Sequence, residues 1–316
     1  MVFPTGWSYI LLCSYTSSTA TPGPPCAHAR LLGSILLALP SPSRAQAPRD
    51  SLLVSPSWLA ERLDHPQVVV LQVERNPATY AEGHVAGARL VPFSRVVVER
   101  AGIPNELPPV AALDSLLESV GVSATSRIII VGEPLLAARL FFTLDYLGLG
   151  DRAALLDGGL PAWRAAGQPL TQRVPAVTPG RLELTPRPEL VVDAEWVRAR
   201  LGDSTVALLD ARPAAEYAGT PPGDGVPRGG HIPGARNFFW RLALTSPEPG
   251  RLKGSGEVAK LLARTGAVPG RTVVTYCRTG IQASYLYFVA RTLGFQPRLY
   301  DGSFLEWSRR GDLPVE

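Results

Sequence analysis

The stretch TVVTYCRTGIQASYLYFVARTLGF (Thr272–Phe295) carries three signals in one run. Thr272–Tyr276 is β-branched and apolar without polar alternation, the pattern of a strand covered on both faces. CRTGIQ (Cys277–Gln282) is a polar turn containing one glycine. SYLYFVARTL then places Tyr285, Phe288, Val289 and Leu293 on one helical stripe, with Gly294 as a stop. Strand, turn and helix in this order predict a parallel α/β unit. Cys277 falls at the carboxyl end of its strand, where such sheets bind ligands.

The same pattern occurs earlier in the chain. VSPSWLAERL (Val54–Leu63) aligns with VDAEWVRARL (Val192–Leu201), and VVVLQ, ending at Gln72, with VALLD, ending at Asp210. GHVAGAR (Gly83–Arg89) echoes GHIPGAR (Gly230–Arg236), and IIIVGE (Ile128–Glu133) echoes VVTYCR (Val273–Arg278). YLGLG answers TLGFQ, and DGGLPAW (Asp157–Trp163) answers DGSFLEW (Asp301–Trp307). Six blocks kept in order define a duplicated domain. The fold class expected is α/β, with two domains, each a central parallel sheet flanked by helices on both faces. The boundaries are drawn at 50–170 and 189–316, joined by a Pro- and Thr-rich connector over 171–188 that crosses the surface.

With 316 residues, 46% of them hydrophobic, the chain has apolar matter for two cores. The formal net charge of +4 comes from scattered arginines, with no run of like charge, so no nucleic-acid partner is expected. Residues 1–47 read as a leader: Arg30, the apolar run Leu31–Leu39, and the small residues Ser41–Ala47 have the parts of a secretory signal peptide. The run is too short to span a bilayer. A periplasmic or secreted protein is expected, with no membrane span once the leader is removed. Cytoplasmic residence is the alternative if this segment has no targeting role. A monomer is expected.

Cys13 and Cys26 lie in that leader, so Cys277 is left without a disulfide partner. The four histidines show no ligand spacing, and neither a metal nor a cofactor is expected. Packing and reaction remain. A lone cysteine is commonly a small buried hydrophobe. Here Arg278, Thr279 and Gln282 share its turn, which favours reaction. Gly280 lets the backbone curl, so that successive N–H groups form an anion nest backed by the positive end of a helix starting near Ala283. Such surroundings lower a thiol pKa, and a nucleophilic thiolate is expected.

DARPAAEY (Asp210–Tyr217), GHIPGA (Gly230–Ala235), YCRTGIQAS (Tyr276–Ser284) and YDGSFLEW (Tyr300–Trp307) together resemble the rhodanese family, specifically its tandem thiosulfate and 3-mercaptopyruvate sulfurtransferases. The resemblance covers essentially everything after residue 50. It implies an inactive first domain, consistent with Gly132 and Glu133 in the place of the cysteine turn. It also implies ping-pong transfer of sulfane sulfur: Cys277 takes sulfur from thiosulfate, sulfite leaves, and a thiol or cyanide removes it from the persulfide.

In this reading the loop Arg278, Thr279, Gly280, Ile281 and Gln282 binds substrate, with Arg278 attracting the sulfonate and Arg236 and Arg228 flanking the site. Asp210 and Arg212, the family's D-x-R, are expected as a structural ion pair. His231 is expected to fix its own turn, and Asp301 to hold backbone beside the site. Trp163 and Trp307 are expected as core anchors. Two positions depart from the pattern. Glu216 stands where many tandem members carry an arginine, and Gln282 where the thiosulfate branch often has a basic residue. The mercaptopyruvate loop C-G-[ST]-G-V-T is not matched either, which favours thiosulfate as donor over mercaptopyruvate. A phosphatase of the same fold would need C-x5-R, and the position of that arginine is Ala283. A non-catalytic persulfide carrier or binding protein is the alternative of another class.

Overall fold

The computed structural model describes residues 48–245 and 250–316. The proposed leader lies outside the described residues. The N-terminal sheet is wholly parallel: β1 (Leu53–Val54), β2 (Val68–Glu74), β3 (Arg89–Pro92), β6 (Arg127–Gly132) and β7 (Ala153–Leu156) stand in the order β1-β7-β6-β2-β3. A short antiparallel hairpin, β4 (Val98–Arg100) and β5 (Ile103–Glu106), projects from it. The C-terminal sheet consists of β8 (Val191–Val192), β9 (Val206–Asp210), β10 (Arg236–Asn237), β11 (Thr272–Tyr276) and β12 (Arg298–Tyr300). Read from β8, its order β8-β12-β11-β9-β10 repeats the first sheet position for position. The expected architecture of two parallel sheets flanked by helices is therefore present, and the duplication extends to strand order.

The aliphatic strands are continuous because both faces are covered. Ile128, Ile129, Ile130 and Val131 of β6 are all fully buried. Trp163 and Trp307 anchor the outer layers alike: both rings are buried, and their indole N–H groups donate to Pro169 O at 2.9 Å and Pro314 O at 2.7 Å.

The helices Pro134–Tyr146 and Ile281–Thr292 are equivalents in the two copies and pack against one another. Phe141 meets Phe288 edge-on at 5.0 Å, and Phe142 meets Tyr287 likewise at 5.0 Å. One apolar cluster consequently runs through both domains. Asp145, buried at this seam, accepts from Tyr287 Oη (2.8 Å), Arg291 Nε (2.8 Å) and Arg187 Nη1 (3.0 Å), so its charge is matched where water is excluded.

Each domain also reaches into the other. Leu107 N, from the loop after β5, donates to Asp301 Oδ2 at 2.8 Å. Leu252 N, from the second copy, donates to the counterpart Asp157 Oδ1 at 3.0 Å. Ile103 of the hairpin is buried in the apolar cluster of the C-terminal domain. Among the described residues no helix is long and apolar enough to cross a membrane.

Candidate active site at the cysteine turn

β11 runs in register with β9, Tyr276 beside Asp210, and delivers Cys277 to the carboxyl end of the sheet. The helix behind it begins at Ile281, two residues before the sequence-based expectation. The turn closes on Gly280, which caps that helix with φ +86°. A Cβ at this position would stand 2.9 Å from Asp301 Oδ1 and 3.3 Å from Arg139 Nη1. Glycine is thus required by backbone conformation and by space.

Cys277 is 2% exposed. Its backbone N donates to Ser303 Oγ at 3.3 Å and its carbonyl accepts from Phe304 N at 2.9 Å, so the first turn of the helix Ser303–Arg309 clamps it. The backbone N–H groups of Ala283, Thr279 and Gln282 face its sulfur. Burial pushes the thiol pKa up; those three N–H groups pull it down, and the carboxylate of Asp210 pushes it up further. The outcome is a raised pKa, which corrects the expected depression. The nest is present, but complete desolvation outweighs it.

Around the thiol the loop residues divide. The Thr279 hydroxyl accepts from Asn105 Nδ2 of the other domain at 3.0 Å. Arg278, partly exposed, lies 3.4 Å from the exposed carboxylate of Asp224. Gln282 keeps a buried Oε1 without a partner, and so does Glu216 at Oε2. Gly223 lies against both Glu216 and Arg278: a Cβ there would be 2.8 Å from Glu216 Oε2 and 3.4 Å from Arg278 Cδ. Ile281 is buried in the apolar cluster shared by the domains, so its side chain does not line an anion site.

Asp210 and Arg212 form a fully buried ion pair at 2.6 Å; the guanidinium also donates to Gly230 O at 2.8 Å and covers the Phe304 ring at 4.1 Å. His231 Nδ1 lies 3.1 Å from Tyr217 O and the ring stacks on Tyr217 at 3.7 Å, as His84 does on Tyr80 at 3.8 Å. Asp301 accepts the Leu107 N–H and a two-pronged grip from Arg139 at 2.6 and 3.2 Å.

The two arginines expected to flank the thiol differ in what holds them. Arg236 pairs with Leu209, one residue before Asp210, and its exposed side chain borders a cleft with Ser204, Val206 and Arg271. Arg228 is not free to hold a substrate anion, because its guanidinium is spent on the carbonyls of Ser308, Leu313, Trp307 and Arg310. Conversely, Asn105, Arg139 and Ser303 were missed. Arg139 left a trace, as the single charge inside the apolar run PLLAARLFFTL. Ser303 lies within a repeated block, with nothing to mark its contact.

The equivalent place in the N-terminal domain is closed. β6 ends at Gly132 and Pro134 already starts the next helix, leaving only Glu133 where the second copy has its loop. Residues 250–252 lie over this place, and Arg49 holds them through the carbonyls of Leu252 (2.9 Å) and Lys253 (2.7 Å). A cavity of about 20 Å³ is left. Among the described residues no group of three or more His, Cys, Asp or Glu side chains could hold a metal ion.

These features define a class: a duplicated α/β protein with, among the described residues, one thiol, set in a backbone anion nest. The rhodanese-like domain model matches residues 55–166 and 193–310, and the chain belongs to the rhodanese family. It is 36% identical over 269 residues to the thiosulfate sulfurtransferase of Pseudomonas aeruginosa, covering 84% of this chain and 97% of that protein. It is 29% identical to the 3-mercaptopyruvate sulfurtransferase of Escherichia coli K12, covering 83% and 97%. Among solved structures, wild-type EanB shares the fold with a TM-score of 0.76 at 23% identity, over 85% of this chain and 70% of that one.

Proposed function

We propose that the protein is a sulfurtransferase that moves sulfane sulfur from thiosulfate to a thiophilic acceptor through a persulfide on Cys277. The observation that carries this reading is the convergence of the Thr279, Gln282 and Ala283 N–H groups on one cysteine sulfur. Such donors, fixed before reaction, stabilise a thiolate or persulfide anion without reorganisation. The Cys277 thiolate attacks the outer sulfur of thiosulfate. The S–S bond of the donor breaks, and sulfite departs with the bonding pair. A nucleophilic acceptor, cyanide or a thiolate, then attacks the terminal sulfur and the cysteine thiolate leaves. Arg278 is the loop cation for the sulfonate, and the donor replaces Asp224 as its partner.

A second reading, 3-mercaptopyruvate as donor, is supported by relatives of both names at comparable coverage. Thiosulfate and mercaptopyruvate assays on wild type and Cys277→Ser test both. The expected result is thiosulfate-dependent thiocyanate formation, lost in the variant, with mass spectrometry finding Cys277 one sulfur heavier after thiosulfate alone. Equal activity in the two proteins rejects the cysteine mechanism, and faster turnover with mercaptopyruvate exchanges the donor. We propose export as well, on the leader-like residues 1–47. Full-length protein recovered from the cytoplasm with an uncleaved N-terminus would reject it.

A further inference from the structure

The connector between the domains is docked along the N-terminal copy. Gly180 N donates to Glu118 O at 2.8 Å and Leu182 N to Glu118 Oε1 at 2.9 Å, at the end of the helix Val110–Ser119. Thr185 N and Arg187 N continue onto Leu147 O and Tyr146 O at 3.3 and 2.7 Å. Leu182 is buried in the apolar cluster. The floor under this strand-like segment needs glycine: a Cβ on Gly121 would lie 2.9 Å from Thr178 O, and one on Gly148 would lie 2.6 Å from Thr185 O.

The C-terminal copy repeats that floor. At the end of the helix Ser255–Arg264, Gly266 N→Ala263 O and Ala267 N→Leu262 O reproduce Gly121 N→Glu118 O and Val122 N→Leu117 O. Gly294 N→Arg291 O reproduces Gly148 N→Asp145 O. No described segment takes the connector's place here. The last residues turn elsewhere, Glu316 and His231 exchanging backbone hydrogen bonds at 3.0 and 2.8 Å. Two adjoining clefts of about 510 and 550 Å³, both bordered by Ala263 and Arg271, follow the same track.

The repeated floor differs in charge. Glu118, which holds a connector N–H, is replaced by Ala263. One cleft is lined by Arg200, Arg236, Arg264 and Arg271 against a single acid, Asp203, whose carboxylate is taken by Thr205 at 2.8 and 2.7 Å. Arg200 donates to Trp196 O and Arg271 to Gly266 O and Val206 O, whereas Arg236 and Arg264 are exposed and make no hydrogen bond or ion pair among the described residues. The other cleft is apolar, with Ala267, Leu293, Phe295 and Val268, the last 37% exposed. A main-chain track, an apolar shelf and surplus guanidinium groups call for an extended chain bearing carboxylates and one aliphatic anchor.

We propose that this groove binds an extended acidic peptide segment of a partner protein, laid down as the connector is laid on the N-terminal copy. The probe is a fluorescein-labelled peptide of the connector sequence Thr178–Arg187 carrying R181E and R187E, titrated by anisotropy into the full chain. Saturable binding is expected, weakened about tenfold by Arg264→Glu, by Val268→Asp, and by raising salt from about 0.05 to 0.5 M. The unmodified connector peptide is expected to bind about tenfold more weakly than the acidic one. Both variant sites are exposed, and unchanged melting temperatures confirm that each variant is folded. Absence of saturable binding, equal affinity in both variants, or uptake of a labelled single-stranded oligonucleotide in preference to the peptide overturns the proposal.

Discussion

Arg139→Met is the perturbation that most directly tests how the two copies cooperate. Arg139 is fully buried in an otherwise apolar helix, and it forks onto both oxygens of Asp301 at 2.6 and 3.2 Å. Methionine keeps the packing of the stem but leaves the Asp301 carboxylate, whose side chain is 9% exposed, with only the Leu107 N–H. Removing one member of a buried pair costs about 3–5 kcal/mol, mainly from the stranded charge. At about 2.1 cal/mol/K of unfolding entropy per residue, that corresponds to a fall in melting temperature of roughly 5–8 °C for a chain of this size. Because Gly280 rests on Asp301 Oδ1, the cysteine turn loosens as well, and turnover falls with stability. Urea denaturation followed by circular dichroism measures the loss, and thiocyanate formation the activity. Adding Asp301→Asn removes the stranded charge, so the double variant recovers part of what Arg139→Met loses. A loss below about 1 kcal/mol, or a double variant as unstable as the sum of the singles, would refute the reasoning.

Two further outcomes follow from the turn itself. Gly280→Ala forces an L-residue to φ +86° against Asp301 Oδ1, and a loss of about 1–3 kcal/mol together with reduced turnover is expected from denaturation and activity curves; wild-type values in both would contradict it. The raised pKa of Cys277 predicts that the resting enzyme holds less thiolate at pH 7 than the few per cent of an ordinary cysteine. Its iodoacetamide alkylation rate should rise with pH through a midpoint above about 8.5, since thiolate is lost as pH falls through the pKa; a midpoint below about 7.5 would show that the nest outweighs burial.

The repeated blocks made the two parallel sheets legible, because an aliphatic strand buried on both faces leaves a continuous run that needs no partner to be recognised. The cysteine turn was legible for a similar reason: polar residues and a glycine between strand and helix are local features. What escaped was long-range. Asn105 reaches Thr279 across 174 residues, and Arg139 reaches Asp301 across 162. Nothing local to either partner records such pairings. Arg228 was misread because its acceptors are backbone carbonyls at the end of a helix, which carry no sequence mark. The thiol's pKa direction depended on burial, which the polar residues of the turn do not reveal.

The closed site in the N-terminal copy behaves as a ratchet. Writing a cysteine back at position 132 would not revive it, since a Cβ there would sit 2.8 Å from both Val73 Cγ1 and Val73 O. The turn that would cradle its sulfur has been replaced by Glu133 and Pro134, and residues 250–252 already lie across the opening. Meanwhile Leu107, Asn105 and Arg139 of that copy have become parts of the other copy's site. The route to a second thiol site is therefore long: one substitution would not build it, and the N-terminal copy cannot be discarded without unseating the turn that holds Cys277.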